Sequence, residues 1–243
     1  MYKGIRIKEP FFEIGPKAYC YGTKILDFAK VADKASERYG VSVIFTPQYT
    51  DIPILAKATK NLLIFAQHID SLSEGRGLGS VLPEAVKDAG AVGVMLNHSE
   101  KRLSLAELNK TIKRADGIGL ATIVCADTVE EAMAIAHLRP NIIAVEQPDS
   151  IGIGKISDMN YLNKAIHAVH SVDSSIQVLT AAGIHSGKDV YNIVRSGASA
   201  TGSSSGIFQA KDPSNMIEEM LCAVRKAWDE RSIQSHEGIN IGN

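Results

Sequence analysis

The chain has 243 residues, of which 45% are hydrophobic and 22% charged. That is an ordinary composition for soluble globular protein and enough for one large domain or two small ones. With 26 Lys and Arg against 27 Asp and Glu the net charge is -1, which argues against nucleic acid as the main partner because phosphate backbones select a strong basic surplus. A local anion site stays open.

A first strand is expected before Lys17. The short β-branched and aromatic runs "VSVIFTP" and "NLLIFAQ" follow, each too short for a helix and ending in polar residues. "GRGLGS", residues 75–80, fits a dinucleotide-binding loop poorly and lacks an acidic partner after a further strand. "AVGVMLN" is the next strand. "LSLAELNKTIKRAD" then has helical spacing, with Leu105, Leu108 and Ile112 on one face. The strand "LATIVCA", the helix "DTVEEAMAIAHL" and the strand "NIIAVEQ" come after it. In "SDMNYLNKAIHAVHSV", Ser157 is the expected N-cap, and Leu162, Ile166 and Val169 turn inward. His167 and His170 on that helix read as core-edge side chains rather than metal ligands. "SIQVLTA" and a run near residues 199–202 supply the last strands. Asp212 followed by Pro213 opens a final helix as N-cap and first-turn proline. The tail "DERSIQSHEGINIGN", residues 229–243, is polar without periodicity.

Strand and helix in this repeated alternation predict a parallel sheet covered by helices. Nearly all-apolar strands agree, since both sheet faces are then buried. About eight such units in a chain of this length match the ~250 residues of a closed α/β barrel, (β/α)8, in one domain over residues 1–228. A doubly wound open sheet is the alternative. Cys20, Cys125 and Cys222 are far apart and show no metal-ligand spacing. They suggest a reducing compartment, with Cys125 a small buried hydrophobe. "MYKGIRIKEP" has no apolar core of signal length, and no run of about eighteen apolar residues occurs, so a cytoplasmic protein without a membrane span is expected.

In a parallel barrel the residues just past the strands converge on one face. Here they are Lys17, the pair Asn97 and His98, Glu146, Gly183 of "TAAGIH", and the "SSSG" that contains Ser204 and Ser205. Taken singly, each has an ordinary reading: a surface lysine, a capping histidine, a solvated loop carboxylate. Together they hold what proton abstraction beside a carbonyl requires. A carboxylate takes the proton, a neutral donor polarises the oxygen, and a cation steadies the developing charge. The small residues, with free backbone N–H groups, suit a phosphate.

"LNHSEKR" around His98, "AVEQPDSIGIGK" around Glu146, "VLTAAGIHSGKDV" and "SSSGIFQAKDP" resemble the triosephosphate isomerases, in particular their short archaeal-type branch. "TPQYTD", "FAQHID" and "VLPEAVKDAGAVG" share the likeness, which runs from about Lys17 to the last helix. The resemblance implies a single-domain TIM barrel that interconverts dihydroxyacetone phosphate and glyceraldehyde 3-phosphate through an enediolate. Glu146 would be the base, His98 the neutral donor and Lys17 the cation, with Asn97 beside His98 as a substrate contact and Glu100 in support. The loop after Glu146 would be a lid whose Gly152 grips phosphate, and Gly183, Ser204 and Ser205 would complete the cradle. Neither metal nor organic cofactor is implied. A homodimer or homotetramer is, with "DSLSEGRGLGSV" docking into a neighbour.

Three positions depart from the family pattern. Gly15 stands where Asn-x-Lys is usual, so an amide contact is lost or replaced. Gln147 separates Glu146 from Pro148 at the lid hinge. Gly202 and Ser203 are small where aliphatics are usual, which either leaves a roomier pocket end or is filled from bulkier neighbours. These departures keep open a relative acting on another ketose phosphate, such as a four-carbon one. A barrel that binds a phosphorylated ligand without turnover is the non-enzymatic alternative.

Overall fold

The computed structural model describes residues 2–146, 159–180 and 183–239. Eight strands follow one another around a closed ring in sequence order: β1 (Phe11–Ile14), β2 (Ser42–Phe45), β3 (Leu62–Ala66), β4 (Gly93–Leu96), β5 (Ala121–Ala126), β6 (Ile142–Val145), β7 (Gln177–Thr180) and β8 (Ala200–Ser203). Every pairing is parallel, and β1 against β8 closes the ring with Glu13 opposite Gly202. Ring closure excludes the doubly wound open sheet.

The period of two divides each strand between two cores. Phe11, Ile44, Phe65, Ile123, Ala144, Leu179 and Ala200 fill the barrel interior, and Cys125 is buried among them. Phe12, Ile14, Val43, Phe45, Val124 and Ile143 face outward into the layer between sheet and helices. Those helices are α1 (Gly22–Tyr39), α2 (Ile52–Ala58), α3 (Pro83–Asp88), α4 (Leu105–Ile118), α5 (Val129–Ala136), α6 (Met159–Val172), α7 (Gly187–Arg195), a short α8 (Ser205–Phe208) and α9 (Pro213–Ile239). Side-chain oxygens start several of them by accepting a first-turn N–H. Ser104 caps α4 through Glu107, Thr128 caps α5 through Glu131, Ser186 caps α7 through Asp189, and Asp212 caps α9 through Asn215. No helix among the described residues is long and apolar enough to cross a membrane.

Two expectations change, and one open alternative closes. Leu105 is 57% exposed rather than facing the core with Leu108 and Ile112. It is the first residue of α4, whose buried residues begin at Leu108. The segment from residue 229, read as a polar tail, continues α9 as far as Ile239. Lastly, the small Gly202 leaves no empty space. A Cβ there would stand 2.7 Å from the Glu13 carbonyl oxygen and 2.9 Å from the Glu13 Cβ. The bulkier neighbour fills the volume, and an aliphatic side chain at 202 has no room. The expected cap Ser157 and the hinge residues Gln147 and Pro148 lie outside the described residues.

Candidate active site

A cavity of about 610 Å³ opens at the C-terminal ends of the strands, and Lys17, His98, Glu146, Gly183, Ser204 and Ser205 all line it. Different strands deliver them: Lys17 follows β1, His98 follows β4, Glu146 follows β6, and the two serines follow β8.

Lys17 has φ 47° and Asn97 φ 60°, a left-handed backbone that L-residues rarely adopt. Both are held there by hydrogen bonds. The Lys17 carbonyl accepts from the Gln48 and Gln67 side-chain amides at 2.7 and 3.1 Å. Gln67 also donates to the Thr46 carbonyl at 3.0 Å, which ties three strand ends together. With its backbone fixed, Lys17 extends its Nζ to within 2.7 Å of Glu100 Oε1.

Asn97 is 2% exposed, and its side chain is fully engaged in the barrel end. Its Nδ2 donates to the Cys125 carbonyl at 3.0 Å and to Glu131 Oε1 at 3.2 Å, and its Oδ1 accepts from the Leu103 N–H at 2.9 Å. Arg102 donates to the Asn97 carbonyl and pairs with both Asp127 and Glu131. The expected substrate contact of Asn97 is therefore replaced by an internal role. The buried amide and its neighbours brace the loop that carries His98 against the end of β5 and the first turn of α5.

His98 Nδ1 accepts the Glu100 N–H at 3.1 Å, which assigns the ring proton to Nε2. Burial first, and then the nearby Lys17, holds its pKa below the ordinary histidine value, so the imidazole is neutral. Its Nε2 lies 3.9 Å from Glu146 Oε2, and each side chain is 16% exposed. Burial pushes the Glu146 carboxyl above the usual range; Lys17 opposes this, and Asp127 and Glu100 add to it. A carboxylate so raised is a stronger base.

Gly183 is buried with φ 76°, a conformation suited to glycine. Ser203 Oγ donates to the Ile184 carbonyl at 2.9 Å and joins the loop after β7 to the end of β8. Ser204 Oγ, at the start of α8, is buried without a hydrogen-bond partner among the described residues. A buried hydroxyl of this kind leaves a hydrogen-bonding position that a water or a ligand atom can take. Gly152 and the rest of the expected lid lie outside the described residues.

Sequence reading missed Gln48 and Gln67, which stand in "TPQ" and "FAQ" as polar residues directly past apolar strands. It also missed Glu13, a cavity-lining carboxylate inside the strand "FFEI". Among the described residues no grouping of His, Cys, Asp and Glu has metal-holding geometry.

A parallel (β/α)8 barrel with a raised carboxylate, a neutral imidazole and a lysine at the C-terminal mouth of its strands defines a class of barrel built for acid–base chemistry on a small anionic molecule. Residues 17–220 match the family model described as triosephosphate isomerase. The chain is 36% identical over 206 residues to the triosephosphate isomerase of Methanobacterium bryantii, covering 84% of this chain and 91% of that one. It is 34% identical over 230 residues to that of Sulfolobus acidocaldarius, covering 93% and 99%, and 38% identical over 203 residues to that of Methanothermus fervidus, covering 82% and 91%. The chain belongs to the triosephosphate isomerase family.

Proposed function

We propose that this protein is an aldose–ketose isomerase that interconverts dihydroxyacetone phosphate and glyceraldehyde 3-phosphate. The approach of neutral His98 to within 3.9 Å of the raised carboxylate Glu146, in one cavity with Lys17, carries the reading. Glu146 removes a proton from the carbon beside the carbonyl. His98 Nε2–H donates to the oxygen that becomes negative, and the Lys17 ammonium stabilises the enediolate. Glu146 then returns the proton to the neighbouring carbon. The phosphate is held by the N–H groups of Gly183, Ser204 and Ser205, and by Gly152 from the loop beyond Glu146. The buried Ser204 hydroxyl supports this placement.

His98 and Lys17 already polarise the carbonyl, so the chemistry needs no metal and no organic cofactor. The three-carbon substrate is favoured over a longer ketose phosphate by the names of the relatives and by the filled volume at Gly202. A free enediolate with phosphate on the next carbon eliminates it readily in water, which gives a closing loop after Glu146 its purpose. Purified protein is expected to convert dihydroxyacetone phosphate to glyceraldehyde 3-phosphate in a coupled spectrophotometric assay with chelator present. No turnover in either direction would sink the assignment.

Self-association, as a homodimer or homotetramer in the cytoplasm, belongs to the same reading. Residues 71–80 project from the barrel with Leu78 fully exposed and Gly75 and Gly79 at φ 131° and 85°. An apolar tip on a glycine-rich projection is better buried by a symmetric partner than by water. Sedimentation velocity at micromolar protein is expected to show a multimer that Leu78→Asp weakens, and a strictly monomeric wild type contradicts it.

A further inference from the structure

Glu13 lines the same cavity as Lys17, His98 and Glu146, yet the chemistry above makes no use of it. It is 5% exposed. Its Oε1 accepts from the Thr46 hydroxyl at 2.6 Å, while no described residue bonds its Oε2. Two glycines make room for the carboxyl. A Cβ at Gly15 would lie 2.9 Å from Oε1 and 3.3 Å from Oε2, and one at Gly202 would lie 3.1 Å from Oε2. The side chain thus lies inside the closed barrel, beside Gly15 and across the β1–β8 pairing from Gly202, and its carboxyl reaches the cavity.

We propose that Glu13 is a further substrate-binding residue of this site: between Gly15 and Gly202 its neutral carboxyl donates a hydrogen bond from Oε2 to a carbonyl or hydroxyl oxygen of the sugar phosphate.

The proposal rests on the isomerase reading. A carboxyl can donate only while protonated, and the surroundings keep it so. Burial pushes its pKa up to about 8, Glu146 adds to the rise, and the Thr46 bond and Lys17 oppose it. Cys125 faces it from β5, with its thiol pushed well above the usual range by burial and then by Glu146 and Glu13. Near neutral pH the group is therefore an O–H donor. Once ionised it sets a second negative charge against an enediolate and an anionic phosphate, so binding and turnover weaken together.

The test is the pH dependence of kcat/KM for dihydroxyacetone phosphate in wild type, Glu13→Gln, Glu13→Ala and Thr46→Val. Wild type should lose activity on the alkaline side with a midpoint near 8. Glu13→Ala should lower kcat/KM at neutral pH by about ten- to hundredfold, the range for a hydrogen bond to a charged or strongly polar group. Glu13→Gln should recover most of that loss, because its amide also donates, and should abolish the alkaline limb, because it has no proton to lose. Thr46→Val removes a bond that favours the ionised form, so the limb should move to higher pH. A residue that merely fills space would move none of these limbs. If Glu13→Ala fails to fold, the Glu13→Gln profile decides. An active wild type whose alkaline limb persists unchanged in Glu13→Gln overturns this inference alone, whereas a wild type without turnover overturns it together with the isomerase reading.

Discussion

Glu146→Gln is expected to fold normally and to lose about 10²–10⁴-fold or more in kcat/KM, the range over which positioned proton transfer operates. The amide matches the carboxyl in shape but cannot accept the proton. The substitution also leaves the backbone bond from the Glu146 N–H to the Ala126 carbonyl in place. Circular dichroism and thermal melting should stay close to wild type while turnover collapses. A variant within a few-fold of wild-type rate would remove Glu146 from the chemistry. The same carboxyl sets the acid side of the wild-type profile. It works ionised, and its pKa lies above the ordinary value, so activity should fall as pH drops through that raised pKa.

Lys17→Met should cost about 10²–10³-fold in kcat/KM, the typical loss when one group aimed at a developing oxyanion is removed. Methionine keeps the length of the stem and discards the charge. Stability should change little, because the Lys17–Glu100 pair is partly exposed and such pairs contribute about 0–1 kcal/mol. Loss of the cation has a second consequence with a defined sign. Lys17 holds the pKa values of both Glu146 and His98 down. Without it both rise, so the acid limb of the kcat/KM profile should move to higher pH. An unshifted limb, or a melting temperature that falls with the activity, would show that Lys17 acts through the fold instead.

The apolar strands were legible because both faces of each are buried, which makes runs such as "LATIVCA" continuous in sequence. β1 was harder to read, since Glu13 interrupts its apolar pattern and makes sense only beside Gly202, 189 positions later. Lys17, His98, Glu146, Gly183, Ser204 and Ser205 could be named because strand ends in a parallel barrel share one face and their motifs resemble a known family. What each residue touches could not be read. Asn97 was expected to meet substrate, but its three side-chain bonds run to Cys125, Glu131 and Leu103, contacts that depend on where β5 and α5 come to lie beside its own loop. Leu105 failed for a local reason: helical periodicity does not specify where along the helix contact with the core begins.

The seam between β1 and β8 joins the beginning of the chain to its end, and Glu13 lies across it from Gly202. A growing chain that has not yet produced β8 therefore leaves β1 as an open edge, with unpaired backbone groups and a carboxyl facing water. In that state Glu13 has an ordinary carboxylate pKa and is ionised at neutral pH. Docking β8 encloses it and lifts its pKa to about 8, so closing the ring takes up close to one proton at pH 7. Closure of the ring is thereby coupled to protonation of the cavity floor. Assembly of that floor should be more favourable in mildly acidic solution than in alkaline solution, and no fragment ending before residue 200 can complete it.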